Sequence, residues 1–264
     1  ILALQNTDYN VLKCKCGIRY LFPRIEDNEL DKLYNEEYFE DQTANSTPEY
    51  YRDTVKSRYS KFNECLDKLE SYLNKTHDFQ VSNIKFLDIG AGTGDMVQLA
   101  RARKFQAEGL EYSEYGVKAA LEKFNIQLSN KSISELESDT YHVIHTNHVF
   151  EHFNDPIKEL REIRRSLKPN GILYIEVPRQ FDLIIRIKVV LGLYSREFSI
   201  HSIHNPYFYT QKSLTNILTN NGYSIIQAKT FTRSEKKDKF KNLIWRFLSV
   251  FRVGNIIEIY ASKK

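Results

Sequence analysis

Cysteine is scarce in this chain. Cys14, Cys16 and Cys65 are its three, too few for a disulfide framework. They fit a reducing compartment, so the expected location is the cytoplasm. No uncharged apolar run approaches the roughly 18 residues that a membrane-crossing helix needs. The opening, ILALQNTDYN, lacks the charged-then-apolar build of a signal peptide. It also lacks Met, so a trimmed natural N-terminus is expected. Net charge is low as well: 38 basic and 34 acidic residues leave a formal +4 over 264 residues, too little by itself to point to nucleic acid. No internal repeat is visible. What remains is enough chain for one sizeable α/β domain with appendages, or for two small domains.

The apolar spacing changes along the chain. Residues 1–30 read as an irregular leader around KCKCG, and 31–42 as a short helix and loop. Over 48–74 apolar side chains recur at helical spacing, at Tyr59, Phe62, Leu66, Leu69, Tyr72 and Leu73. Strands and helices then alternate. Strands are expected at 84–89, 107–111, weakly at 126–128, then at 143–146, 172–178, 223–231 and 256–262. Helices are expected at 95–103, 114–124, 156–167 and 213–221, with a turn at PNG, residues 169–171. Such alternation predicts a mostly parallel sheet covered on both faces. Two segments break the rhythm. Residues 181–209 read as a lid, and 234–254 as a helical insertion that opens with the charge run SEKKDKFK. The division that follows is an N-terminal extension over 1–80 and a main domain over 81–264.

The stretch FLDIGAGTGDM (86–96) places Gly90, Gly92 and Gly94 straight after the first strand. A strand that enters a helix through several glycines lets a ligand lie against bare backbone near the unpaired N–H groups of the helix start. Asp88 ends the strand. Glu111, about twenty residues on, stands where an acid meets ribose hydroxyls. A dinucleotide fold wants G-x-G-x-x-G, with its third glycine at position 95. That position is Asp95, and the pattern here is G-x-G-x-G. An acid at the helix start repels a pyrophosphate and suits a cationic ligand.

Four ordered segments, LDIGAGTGD, GLEYS, HVFEHFNDP and SLKPNGILYIEVP, resemble the successive motifs of class I S-adenosylmethionine-dependent methyltransferases. The resemblance covers about residues 84–231, with 256–262 completing the fold. It implies an α/β, Rossmann-like, seven-stranded, mostly parallel sheet with helices on both faces and an antiparallel last strand. To this the sequence adds a helical N-terminal extension and a lid insertion. It implies S-adenosylmethionine as cofactor and S-adenosylhomocysteine as product. By the same resemblance Gly90, Gly92 and Gly94 pass under the cofactor's methionine and ribose, and Asp88 steadies the loop or the amino group. Glu111 takes both ribose hydroxyls, and Tyr112 lies along the adenine. Ser132 and Ile133 stand where an acid often meets the adenine amine, so that contact is expected from backbone. Asn147 completes the set of expected cofactor residues.

Moving a methyl group to a hydroxyl calls for alignment, exclusion of water and a base. Histidine titrates near neutral pH, and six of the seven histidines fall between His142 and His204. NHVFEHF lies at the end of the fourth strand, the rim where open parallel sheets hold ligands. If that segment turns helically, His148, Glu151 and His152 converge. His152, His204 and His148 are therefore the catalytic candidates. The alternative is that Glu151 and His152 only fix the loop, and that His204 caps a helix starting near Thr210. In the ubiquinone O-methyltransferases the Glu-His pair joins an earlier acid to hold a divalent metal. Here His148 replaces that acid, so no metal is expected. HSIHNPYFYT resembles a segment of relatives that modify sugars and small metabolites, and that resemblance implies that His201, His204 and Tyr207 close the acceptor pocket from the far side.

The CKCG leader resembles half of a zinc ribbon, but tetrahedral zinc needs four ligands and the chain has no second pair. The leader is read as cover for the cleft or as a homodimer contact. An apolar stripe through 240–251, flanked by Lys239, Lys241, Arg246 and Arg252, fits burial against the sheet or a partner. Contact of 239–252 with an anionic membrane surface is the other reading. The expected acceptor is a small molecule, best guessed as a sugar nucleotide or glycan precursor methylated on oxygen in capsule or lipopolysaccharide synthesis. Nucleic acid is not expected as a partner. The competing readings are a nicotinamide-dependent oxidoreductase and a non-catalytic, methyltransferase-like binding subunit.

Overall fold

The computed structural model describes residues 2–3, 10–23, 48–75, 81–179, 205–232 and 254–264. Residues 181–204 of the expected lid over 181–209 and residues 234–253 of the expected insertion over 234–254 lie outside these, as do His201, His204 and the basic-apolar stripe.

The described part of the leader is not irregular. Strands β1 (Leu2–Ala3), β2 (Asn10–Lys13) and β3 (Arg19–Phe22) pair antiparallel. Cys14 and Cys16 sit exposed in the β2–β3 turn, which Gly17 closes by donating its N–H to the Cys14 carbonyl. Helix α1 (Pro48–Leu73) follows. The main sheet is laid down by β4 (Lys85–Ile89), α2 (Asp95–Ala102), β5 (Gln106–Leu110), α3 (Glu114–Phe124), β6 (Tyr141–Asn147), α4 (Pro156–Ser166) and β7 (Leu167–Pro178). After the short strand β8 (Tyr207–Phe208), which belongs to the leader's sheet, α5 (Gln211–Asn220), β9 (Tyr223–Phe231) and β10 (Ile256–Lys263) complete it.

The sheet has six strands in the order β5-β4-β6-β7-β10-β9. Strands β5, β4, β6 and β7 run parallel, and β10 lies antiparallel between β7 and β9. The expected strand at 126–128 is reduced to one bridge, Leu110 with Ser129. Ser129 donates to the Gly109 carbonyl and accepts from the Glu111 N–H, and no longer ladder forms. The apolar signal there came from burial: Ile126 and Leu128 pack into the core. The PNG segment also departs from expectation. Strand β7 begins before it, Asn170 takes φ 61, and the register with β6 shifts between Tyr141 and Val143. The turn is thus absorbed as a kink inside a strand.

Alternate residues of each strand face opposite layers. On one side Leu87, Ile89, Ile144, Leu173 and Ile175 meet Leu160 and Ile163 of α4 and Leu214 and Leu218 of α5. On the other Phe86, Val143, Tyr174 and Tyr260 meet Leu66, Leu69 and Leu73 of α1 and Val97 and Ala100 of α2. Helix α1 is therefore a layer of the core as well as part of the N-terminal extension. Thr210 caps α5 itself, accepting the Ser213 N–H at 3.0 Å. The leader hairpin is tied in through β3, which pairs with β8, Arg19 against Phe208 and Tyr20 against Tyr207. Among the described residues no helix is long and apolar enough to cross a membrane.

Candidate active site

Strands β4, β5, β6 and β7 point their carboxyl ends at one rim, where the glycine loop, Glu111 and the turn after β6 lie. The glycine loop leaves β4 through Gly90, Gly92 and Gly94 at φ 69, 54 and 79, values that disfavour any side chain. A Cβ on Gly92 would meet nothing within 4 Å, so this residue presents bare backbone to open space. A Cβ on Gly90 would collide with Val149 at 2.3 Å. Gly90 thus lets the turn after β6 lie directly on the loop.

Glu111, just past β5, reaches across to that loop. Its Oε2 accepts the Gly92 N–H at 2.6 Å and its Oε1 the Ser113 N–H at 2.8 Å. One bond per oxygen leaves a carboxylate lone pairs to accept two hydroxyls. Burial pushes its pKa up, while the hydrogen bonds from Ser113 and Gly92 oppose the rise. Gly116, on the first turn of α3, makes room for it: a Cβ there would come within 2.9 Å of both Glu111 Cγ and the Gly92 carbonyl oxygen. Tyr112 is exposed and borders a surface cleft of about 390 Å³ with Val117, Leu121, Leu128 and Asn130.

Ser132 and Ile133 divide. Ser132 caps a short 3-10 turn, its N–H donating to Glu135 Oε2 at 2.7 Å, while the Ile133 side chain is buried in the core. Asp88 turns inward. Its Oδ1 lies 2.6 Å from Nδ1 of His145, its register neighbour on β6, and His145 stacks on Tyr174 at 4.8 Å. Asp88 therefore fixes β4 to β6 beneath the loop. His145 escaped the sequence reading because only strand register sets it beside Asp88. Asp95 also has partners that the spacing could not show: Tyr59, Thr93 and Lys123 all reach its carboxylate.

The turn after β6 brings the acceptor-side candidates together. His148 takes φ 56, rare for a residue with a side chain. Its Nδ1 lies 3.4 Å from Glu151 Oε1 and its Nε2 3.5 Å from Glu176 Oε1. Burial alone would lower its pKa, but hydrogen bonding to Glu151 and Glu176 outweighs that and raises it to about 9. A raised pKa, with a carboxylate near each ring nitrogen, favours a cation holding two carboxylates over the expected role of His148 as a base. His152 sits in the 3-10 turn Phe150–His152, its Nε2 3.9 Å from Glu151 Oε1. Three polar atoms here are buried without a hydrogen-bond partner among the described residues: Asn147 Oδ1, Glu151 Oε2 and the Tyr209 hydroxyl. Burial, and then the charge of Glu151, hold the Tyr209 phenol well above its ordinary pKa, so it stays a donor. Tyr207, whose hydroxyl donates to the Asn154 carbonyl at 3.1 Å, ties β8 to the same turn. Glu176 and Tyr209 belong to this group but were not predicted. Among the described residues no cluster of three or more His, Cys, Asp or Glu side chains is arranged to hold a metal ion.

A glycine loop with open space over Gly92 and a carboxylate opposite, on a sheet of this order, defines an S-adenosylmethionine-dependent methyltransferase of class I. Comparison with known proteins agrees. The family described as "Methyltransferase domain" matches residues 58–228, more than half the chain, and the chain belongs to that family. A demethylmenaquinone methyltransferase of Chlamydia muridarum is 25% identical over 185 residues, covering 62% of this chain and 79% of that protein. Among solved structures, magnesium protoporphyrin IX methyltransferase from Synechocystis with bound SAH has a TM-score of 0.61 at 14% identity. It covers 90% of this chain and 100% of that one. An S-adenosylmethionine-dependent methyltransferase from Mesorhizobium loti has a TM-score of 0.54 at 14% identity, over 75% of this chain and 96% of that one. These structural likenesses concern the fold. The family assignment leaves no place for the nicotinamide-dependent alternative.

Proposed function

We propose that this methyltransferase uses S-adenosylmethionine to methylate an oxygen of a hydroxyl-rich small molecule, a sugar nucleotide or glycan precursor. When bound, S-adenosylmethionine supplies an electrophilic methyl group on a sulfonium. Gly90, Gly92 and Gly94 would cradle it, Glu111 would hold its ribose hydroxyls, and Tyr112 would border its adenine. The open side of Gly92 and the spare lone pairs of Glu111 support that fit.

The observation that carries the acceptor class is the unpaired acceptor atoms beside the cofactor loop. Asn147 Oδ1 and Glu151 Oε2 are buried without donors among the described residues, and such groups cost free energy until a donor arrives. A hydroxyl supplies one; a bare hydrocarbon does not. His152 would take the hydroxyl's proton, and Glu151, next to it, would stabilise the imidazolium that forms. His148 would keep Glu151 and Glu176 in place. A quinone acceptor is the second reading, favoured by the demethylmenaquinone methyltransferase among the relatives.

Thermal melting tests the donor. The midpoint should rise with S-adenosylmethionine and not with NAD, since a ligand specific for the folded state stabilises it. A mass-spectrometric panel of sugar nucleotides and quinones tests the acceptor. Gain of one CH₂ on a sugar supports the first reading, and gain on a quinone alone replaces it with the second.

A further inference from the structure

Two carboxylates lie side by side inside the sheet, and one of them, Glu258, has no part in the proposed chemistry. Glu176 of β7 and Glu258 of β10 are register neighbours and both are buried. Like charges directly opposite one another on a sheet repel. Cations answer them from two sides. Lys68 of α1 and Lys229 of β9 reach Glu258 Oε1 at 3.3 and 3.0 Å, and His148 lies 3.5 Å from Glu176 Oε1. Between the carboxylates stands the Tyr174 hydroxyl, which donates to Glu176 Oε2 at 2.9 Å and lies 3.4 Å from Glu258 Oε2. Burial, and then the charge of Glu176, hold this phenol well above its ordinary pKa, so it stays a donor.

Tyr174 has a second contact, on the donor side. Its ring stacks on His145 with centroids 4.8 Å apart and planes 2° from parallel, because the two residues pair across β6 and β7. His145 in turn bonds Asp88 at 2.6 Å, just before the glycine loop. On the acceptor side Glu176 holds His148 twice. Its carbonyl accepts the His148 N–H at 2.9 Å, and its carboxylate faces the imidazole. That hold matters because His148 takes φ 56, a conformation that costs a side-chain-bearing residue free energy and persists only where its surroundings impose it. One side chain thus touches both the pair beneath the cofactor loop and the carboxylate behind the acceptor turn.

We propose that Tyr174 is a positioning residue for methyl transfer: its hydroxyl aims Glu176 at His148 and so fixes the acceptor turn, while its ring backs the His145–Asp88 pair beneath the donor loop. In-line transfer needs donor and acceptor held in one alignment, and a single ring on the central sheet serves both. Lys68 and Lys229 balance Glu258, so that its charge does not drive Glu176 to take up a proton. The donor half of this proposal rests on S-adenosylmethionine occupying the loop.

Two measurements test this: NMR titration of the histidine ring signals, with His148 assigned through His148→Gln, and calorimetry with S-adenosylhomocysteine as the probe. Tyr174→Phe keeps the ring and removes one hydroxyl. The facing carboxylates then repel more strongly, Glu176 takes up a proton more readily, and His148 loses part of its counter-charge. Its midpoint should fall by roughly one unit, the equivalent of one hydrogen bond to a charged group, while the probe binds within about twofold of wild type. In a Glu176→Gln background the same change should move the midpoint no further. Tyr174→Leu removes the ring as well. It should show the same fall, which keeps the test open if Tyr174→Phe folds poorly, and should weaken the probe about threefold to tenfold, the worth of one aromatic pair. A role in stability alone would lower the melting temperature and leave the His148 midpoint in place; that result overturns the hydroxyl's part, as does a fall that persists in the Glu176→Gln background. Wild-type affinity in Tyr174→Leu overturns the ring's part. Failure of the wild type to bind the probe overturns the donor reading, and the His148 midpoint still decides whether Tyr174 aims Glu176.

Discussion

Glu111 shows how one side chain can serve the fold and the ligand together. Its two oxygens already accept the Gly92 and Ser113 N–H groups, so it shapes the loop it is expected to share with the ribose. Glu111→Ala should weaken S-adenosylhomocysteine by roughly a hundredfold or more, two charge-assisted hydrogen bonds being lost; calorimetry would show it. Burial raises the pKa of Glu111, so affinity should begin to fall above the ordinary carboxylate range as the solution is acidified. His148 works in the other direction. Its folded pKa of about 9 lies above the unfolded value of about 6.5. Its stabilisation is therefore complete below about pH 6.5 and lost as the pH rises through about 9. His148→Gln should lower the melting temperature at pH 7, and the gap to wild type should close near about pH 10. The side chain is 39% exposed, so solvent screening reduces the size of the effect.

Among the elements, α1 was the most legible and the most consequential. Its apolar spacing marked Leu66, Leu69 and Leu73 as one stripe, and all three are fully buried. Leu69→Ala should cost about 2–5 kcal/mol, the range for a buried leucine that leaves a cavity, measurable by denaturant titration. What the spacing could not reveal is the Tyr59 hydroxyl, whose partner Asp95 is 36 positions away. The same limit explains the segment at 126–128. Apolar residues there announced burial, and burial alone does not say whether a backbone finds a partner. PNG illustrates the reverse case. Its composition predicts a turn, but the ladder resumes on either side and only a kink survives in β7.

At the scale of the molecule, the segment before residue 81 cannot be treated as a dispensable appendage. Cys65, Leu66, Leu69 and Leu73 cover the face that carries Phe86, Tyr174 and Tyr260. Each such side chain contributes about 1.5–3 kcal/mol on burial, so together they rival the 5–15 kcal/mol by which a typical domain is stable. A chain starting at Val81 should lack a cooperative melt by calorimetry. The glycine loop, Glu111 and the strand–helix alternation were readable because each depends on neighbours in sequence: a turn's φ angles, a strand's end, a helix's period. Position 95 separated the two nucleotide folds on the same local ground. The pairing of Asp88 with His145, the clasp of Glu151 and Glu176 on His148, and the convergence of three elements on Asp95 were decided only when the sheet took its register. Hydrogen bonds and charges act over a few ångströms of space, whatever the distance along the chain.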